Sequence, residues 1–186
     1  MNKYEAIYQN IDRILSEKKH IIVAVDGRCA SGKTTLAEEL AKKYDANIFH
    51  ADDFFLRPEQ RTEERLSEAG GNFDRERFME EVLLPLKEGV NFSYRKFSCK
   101  TRTLSDEIEV TKKSVNIVEG SYCQHPYFGD MYDLRIFLDI ASEEQKKRIL
   151  LRNPDKAERF LSEWIPMENR YFDFFRIKDK ADIVLY

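Results

Sequence analysis

One run of eight residues carries the strongest chemical signal: Gly27-Arg28-Cys29-Ala30-Ser31-Gly32-Lys33-Thr34. It fits G-x-x-x-x-G-K-[ST] and lies between a short apolar run and a helical pattern, the setting of a loop that wraps a phosphate chain. Glycine lets such a loop bend tightly and brings backbone N–H groups up to phosphate oxygens. The helix that follows adds the positive end of its dipole. Gly27, Ala30, Ser31, Gly32, Lys33, Thr34 and Thr35 are therefore the expected cradle for a nucleoside triphosphate. Within it Lys33 reaches the β- and γ-phosphates, the Thr34 hydroxyl ligates Mg²⁺, and Thr35 holds the α-phosphate. A GTPase is disfavoured, because no N-K-x-D segment follows; Asn153-Pro154-Asp155-Lys156 lacks that order.

Two acidic segments end later apolar runs, His50-Ala51-Asp52-Asp53-Phe54-Phe55 and Val118-Glu119-Gly120-Ser121. A hydroxyl is a poor nucleophile, and a nearby carboxylate can take its proton and orient it for in-line attack. A second carboxylate can hold the water shell of Mg²⁺, which dehydrates reluctantly. Asp52 and Glu119 are the candidates for these roles beside Thr34. In extended backbone Asp52 and Asp53 point to opposite sides, so one of them addresses the substrate. Taken alone, each segment reads equally as a solvated acidic turn.

The order Val-Asp-Gly-x4-Gly-Lys-Thr-Thr, Asp-Asp-Phe-Phe, Asn-Phe-Asp and Glu-Gly-Ser-Tyr resembles the uridine kinase group of P-loop kinases. That group is akin to phosphoribulokinase and bacterial pantothenate kinase. The likeness runs from about Ile21 to the C-terminus. It implies a sheet of the nucleoside monophosphate kinase type, MgATP as donor and a hydroxyl-bearing small molecule as acceptor, most simply a uridine- or cytidine-like nucleoside. It also implies Asp52 as the base, Glu119 near the metal, and Asp74 against ribose hydroxyls. Asp74 serves equally as the N-cap of the helix after it. Pantothenate, nicotinamide riboside, a sugar or a sugar phosphate are alternative acceptors, and a non-catalytic ATP-binding switch is a further alternative.

Arg148 and Arg152 lie four residues apart on a predicted helix and share a face. Beside a short lid tip at Asn153–Lys156 they are placed to neutralise the transferring phosphoryl group; Arg159 and Arg170 are weaker candidates. Phe54, Phe55, Phe73, Tyr94, Phe97 and Tyr122 offer faces on which a base could stack, although such residues are more often core. Arg95, Lys96, Lys100 and Arg102 form a basic stretch that meets an acidic group on the acceptor or solvates an exposed hairpin. His125, before Pro126, reads as a substrate contact or a turn residue.

The elements that position these groups alternate. Ile21–Val25, Asn47–His50, Val115–Val118, Leu134–Leu138 and Asp182–Tyr186 read as buried parallel strands. Lys33–Tyr44, Asp74–Lys87 and Ser142–Arg152 read as helices, the last opening with a Ser142-x-x-Gln145 capping box. An opening helix gathers Tyr4, Ile7, Tyr8, Ile11, Ile14 and Leu15 on one face. The expectation is one α/β domain over residues 1–186, with a five-stranded parallel sheet, helices on both faces and the ligand site beyond the carboxyl ends of the strands. Arg57–Asn72, polar and broken by Gly70-Gly71, reads as a mobile connection. Phe92–Ser98 and Glu107–Val110 read as a small strand pair over the site.

With 186 residues, 42% apolar and 35% charged, the chain suits one globular domain. A net charge of −3 counts against nucleic-acid binding. No run approaches the roughly 20 apolar residues of a membrane span, and the N-terminal residues do not resemble a signal peptide. Cys29, Cys99 and Cys123 lack metal-type spacing and fit reduced thiols in a cytoplasm. The expected partner is a small-molecule substrate, with no nucleic acid and no membrane; a homo-oligomer agrees with the resemblance.

Overall fold

The computed structural model describes residues 3–186. Helix α1 (Glu5–Glu17) leads to β1 (Ile21–Gly27), α2 (Lys33–Tyr44) and β2 (Asn47–His50). A tight turn at Ala51–Phe54 and helices α3 (Glu63–Ser67), α4 (Arg75–Phe78) and α5 (Leu84–Glu88) follow. Short strands β3 (Phe92–Tyr94), β4 (Phe97–Ser98), β5 (Thr103–Leu104) and β6 (Ile108–Val110) precede β7 (Val115–Glu119) and β8 (Leu134–Leu138). Helices α6 (Ser142–Arg152), α7 (Ala157–Arg159) and α8 (Ile165–Phe175) lead to the last strand, β9 (Ile183–Leu185).

Five strands form one parallel sheet in the order β2-β7-β1-β8-β9. Every residue of β1 is buried, which is why its sequence runs apolar without alternation. Ile21, Val23 and Val25 pack in the layer with Ile7, Ile11 and Ile14 of α1 and Leu36 and Leu40 of α2. Ile22 and Ala24 point the other way, into a layer with Phe78, Val82, Leu86, Tyr171 and Phe172. The period of two along the strand thus builds two cores from one run of residues.

The structure changes several sequence-based expectations. The predicted Asp74–Lys87 helix is interrupted by a wide π-type turn at Met79–Leu83, and a second such turn spans Phe160–Trp164. Each comes just before a proline near the start of the next helix, Pro85 or Pro166. Proline lacks an N–H and crowds the carbonyl four residues back, so a widened turn lets the chain stay helical past it. Ser142 makes no capping box: Ala141 is the cap residue and no side chain caps it. The Gln145 amide is committed instead to the carbonyl of Cys29, at 3.0 Å.

Arg57–Asn72 is folded rather than a loose connection. Arg65 holds it by donating to Gly71 O (3.0 Å), Phe73 O (2.9 Å) and both carboxylate oxygens of Glu76 (2.7 Å each). The expected strand pair forms between β3 and β6, and β4 with β5 adds a second pair.

Candidate functional site

The glycine-rich loop leaves β1 at Gly27, whose φ of +137° suits only glycine. A Cβ at that position would lie 2.1 Å from the carbonyl oxygen of Leu138, so the close approach of β1 and β8 depends on its absence. Ala30 and Gly32 also take positive φ, +60° and +101°, and α2 starts immediately afterwards. Lys33 Nζ donates to the carbonyls of Gly27 (2.7 Å) and Arg28 (2.9 Å), which curls its side chain back across the loop. Ser31 Oγ is buried without a hydrogen-bond partner. A buried orphan hydroxyl in a loop of this shape fits a phosphate oxygen as its missing partner.

The pairing of β2 with β7 sets His50 opposite Glu119, which brings both acidic segments to the same end of the sheet. Glu119 Oε1 lies 3.4 Å from Thr34 Oγ1 and 2.5 Å from His50 Nδ1. This contact with the carboxylate is the main cause of a raised His50 pKa. Gly120, at φ +128°, lets the chain turn against Ala51: a Cβ there would meet the Ala51 Cβ at 2.9 Å. Among the described residues no three His, Cys, Asp or Glu side chains gather as a metal cage. Thr34 with a single carboxylate suits Mg²⁺, which keeps most of its waters and borrows phosphate oxygens.

Asp52 and Asp53 lie in a tight helical turn rather than in extended backbone, yet they still diverge. Asp53 pairs with Lys96 Nζ at 3.0 Å. Solvent reaches Asp52, but protein crowds it. Desolvation raises its carboxyl above the ordinary aspartate range, with Glu119, Glu168 and Asp53 adding to the rise and Lys33 opposing it. Asp52 therefore shares one electrostatic neighbourhood with Lys33 and Glu119.

The remaining candidates divide. Arg148 reaches the loop, donating to Ala30 O at 3.2 Å while pairing with Glu144. Arg152 is exposed at the end of α6. Phe54 has no exposed surface: its ring packs against Tyr94 and lies under the Arg77 guanidinium, 4.1 Å away. It is core, with no face left for a base. Tyr94 and Tyr122 are buried as well, the latter at φ +78° with its ring on Tyr171. Asp74, 1% exposed, caps α4 by accepting from Arg77 N at 3.3 Å and pairs with Arg77 Nε. Its Oδ1 serves as the helix cap, as one of the two readings expected, while Oδ2, 3.4 Å from Arg77 Nε, is buried without a hydrogen-bond partner. Arg102 is exposed on the tip between β4 and β5, its N–H bonded to Ser98 O. His125 accepts from Tyr127 N at 3.1 Å as a turn cap, and burial lowers its pKa to about 4.

Sequence reasoning missed Glu168. From the C-terminal helix α8 it accepts from the Cys29 N–H at 3.0 Å and from Ser121 Oγ at 2.6 Å. Its neighbour Asn169 accepts from Arg28, which also pairs with Asp139 at 2.9 Å. Nothing in the sequence around Glu168 marks it, because its partners, a backbone N–H 139 residues earlier and a serine hydroxyl 47 residues earlier, are brought to it only by tertiary packing.

No family model matches the chain. A 157-residue stretch is 31% identical to uridine-cytidine kinase B of Dictyostelium discoideum, covering 77% of the chain and 62% of that relative. The chain thus spans less than two thirds of that protein's length. Uridine kinase of Ureaplasma parvum is 24% identical over 175 residues, 87% of the chain and 84% of the relative. Among solved structures, a protein of Silicibacter sp. TM1040 provisionally assigned as a fructose transport system kinase superposes over both full chains. The TM-score is 0.74 and the identity 23%. In sequence the chain is distantly similar to uridine kinases, and in fold it matches a solved kinase-like structure, as the order of its motifs led one to expect.

Proposed function

We propose that the chain transfers the γ-phosphate of MgATP to a primary hydroxyl of a small metabolite, with a uridine- or cytidine-like nucleoside as the first acceptor to test. The observation that carries this reading is the convergence of Lys33, the Thr34–Glu119 contact and Asp52 at one end of the sheet. The backbone N–H groups of Ala30–Thr35 and the Lys33 ammonium bind the phosphates. Thr34 and Glu119 hold Mg²⁺, which neutralises developing phosphate charge when bound. Asp52 accepts the acceptor's hydroxyl proton as its oxygen bonds the γ-phosphorus and the bond to ADP breaks. Arg148, already at the loop, is the lid arginine best placed to follow that charge. Positioning and electrostatics supply most of such catalysis. The free thiols of Cys29, Cys99 and Cys123 accord with a cytoplasmic enzyme, and no helix of the described residues is long and apolar enough to cross a membrane.

A second reading, a sugar-type acceptor without a base, is favoured by the burial of Phe54, Tyr94 and Tyr122, which removes three stacking surfaces. Incubation with MgATP and a panel of nucleosides, pantothenate, nicotinamide riboside, sugars and sugar phosphates, with products identified by mass, separates the readings. A monophosphate of uridine or cytidine supports the first, and a phosphosugar alone supports the second. No product from any acceptor favours a nucleotide-binding switch.

A further inference from the structure

The front of the glycine-rich loop, Arg28-Cys29-Ala30, is held by side chains from two helices that flank the lid. Helix α6 supplies Gln145 to Cys29 O and Arg148 to Ala30 O. Helix α8 supplies Asn169 to Arg28 and Glu168 to the Cys29 N–H. Glu168 differs from the rest because it is a carboxylate, only 8% exposed, set beside a loop built for anions. Its two oxygens are used separately, one on the Cys29 N–H and one on the Ser121 hydroxyl. Ser121 Oγ also lies 3.3 Å from Gly27 O, so this single side chain ties the loop's first residues to the segment after β7.

A buried carboxylate is costly unless hydrogen bonds compensate it. Repulsion of bound phosphates would make this position costlier still. A neutral residue would be the expected choice if the site needed only packing. We propose that Glu168 is a positioning residue: it fixes the front of the phosphate loop against α8, so that the N–H groups further along stay aligned for nucleotide phosphates. The proposal rests on the nucleotide-binding reading above.

The contact has a chemical reporter. The Cys29 thiol pKa is pushed up to about 12, first by burial and next by the charge of Glu168. Removing the carboxylate leaves the burial but takes away the second cause, so the thiol pKa falls and Cys29 becomes more reactive, whether or not nucleotide binds. Glutamine is nearly isosteric: it keeps the acceptor for the Cys29 N–H, and Ser121 can accept from its amide while donating to Gly27 O.

The test uses the full chain carrying Cys99→Ser, with MgADP titrated at equilibrium and Cys29 alkylated by iodoacetamide. Glu168→Ala is expected to weaken MgADP binding about tenfold or more and to speed Cys29 alkylation. Glu168→Gln is expected to bind MgADP within about threefold of the parent, as a conserved hydrogen bond requires. Thermal unfolding confirms that each variant is folded. Parent-like MgADP binding by Glu168→Ala overturns the proposal, as does equal loss in Glu168→Gln or an unchanged alkylation rate in Glu168→Ala. A parent chain that fails to bind MgADP refutes the nucleotide reading instead; faster Cys29 alkylation in Glu168→Ala than in Glu168→Gln, which loses the same charge but keeps the hydrogen bond, then decides for the clamp, and equal rates decide against it.

Discussion

Glu119 Oε1 sits 3.4 Å from Thr34 Oγ1, joining the end of β7 to the first turn of α2. Two residues 85 positions apart in the chain are adjacent because β7 pairs with β1 in parallel, Val25 opposite Glu119. If this pair holds Mg²⁺, Glu119→Gln weakens the metal rather than the nucleotide. The Mg²⁺ concentration for half-maximal turnover rises about tenfold or more, the usual scale for loss of a charged ligand or its support. Binding of ATP without metal stays as in the parent. Titration of turnover with Mg²⁺ at fixed ATP checks this, and an unchanged midpoint removes Glu119 from the metal site.

Gly27 tests the packing beneath the loop. Alanine there places a methyl group 2.1 Å from Leu138 O and forces a positive φ on a residue that resists it. Backbone cannot yield as a flexible side chain does, so Gly27→Ala should cost about 3 kcal/mol or more. Urea denaturation measures this directly. A loss within about 0.5 kcal/mol, typical of neutral surface changes, contradicts the described approach of β1 and β8.

Asp26 carries a pH signature. It accepts from Gly27 N at 2.7 Å, Gln124 N at 3.0 Å and the Tyr171 hydroxyl at 2.9 Å. Burial outweighs these bonds and raises its carboxyl from 3.8 to about 6. The protonated form is thus relatively favoured in the folded state. Its contribution is fully present below pH 3.8 and lost as pH rises through about 6. The stability of Asp26→Asn relative to the parent should therefore rise by about 3 kcal/mol across that window. Denaturant melts at several pH values give the difference, and a flat difference rules the shift out.

Much of this arrangement is legible in the sequence because it is local. The glycine-rich loop is one contiguous pattern, and the five strands announce themselves as short apolar runs. Asp52 and Glu119 are found because each ends such a run. The acceptor-side residues are less legible. Phe54, Tyr94 and Tyr122 have the types that stack on a base, but only the packing of Arg77, Phe78 and Tyr171 around them reveals that they are core. Asp74 offered two roles at equal weight, and the structure shows the cap through its Oδ1. Glu168 could not be read at all, since its partners are a backbone N–H and a serine brought near by tertiary packing.

Whether Asp52 takes the acceptor's proton is decided by single-substitution kinetics. Asp52→Asn should lower kcat about 10²-fold or more, the scale of a lost general base. Its affinity for MgATP should stay within about threefold of the parent, since Asp52 addresses the acceptor rather than the donor. Turnover equal to the parent, with any acceptor that the parent phosphorylates, removes Asp52 from the chemistry.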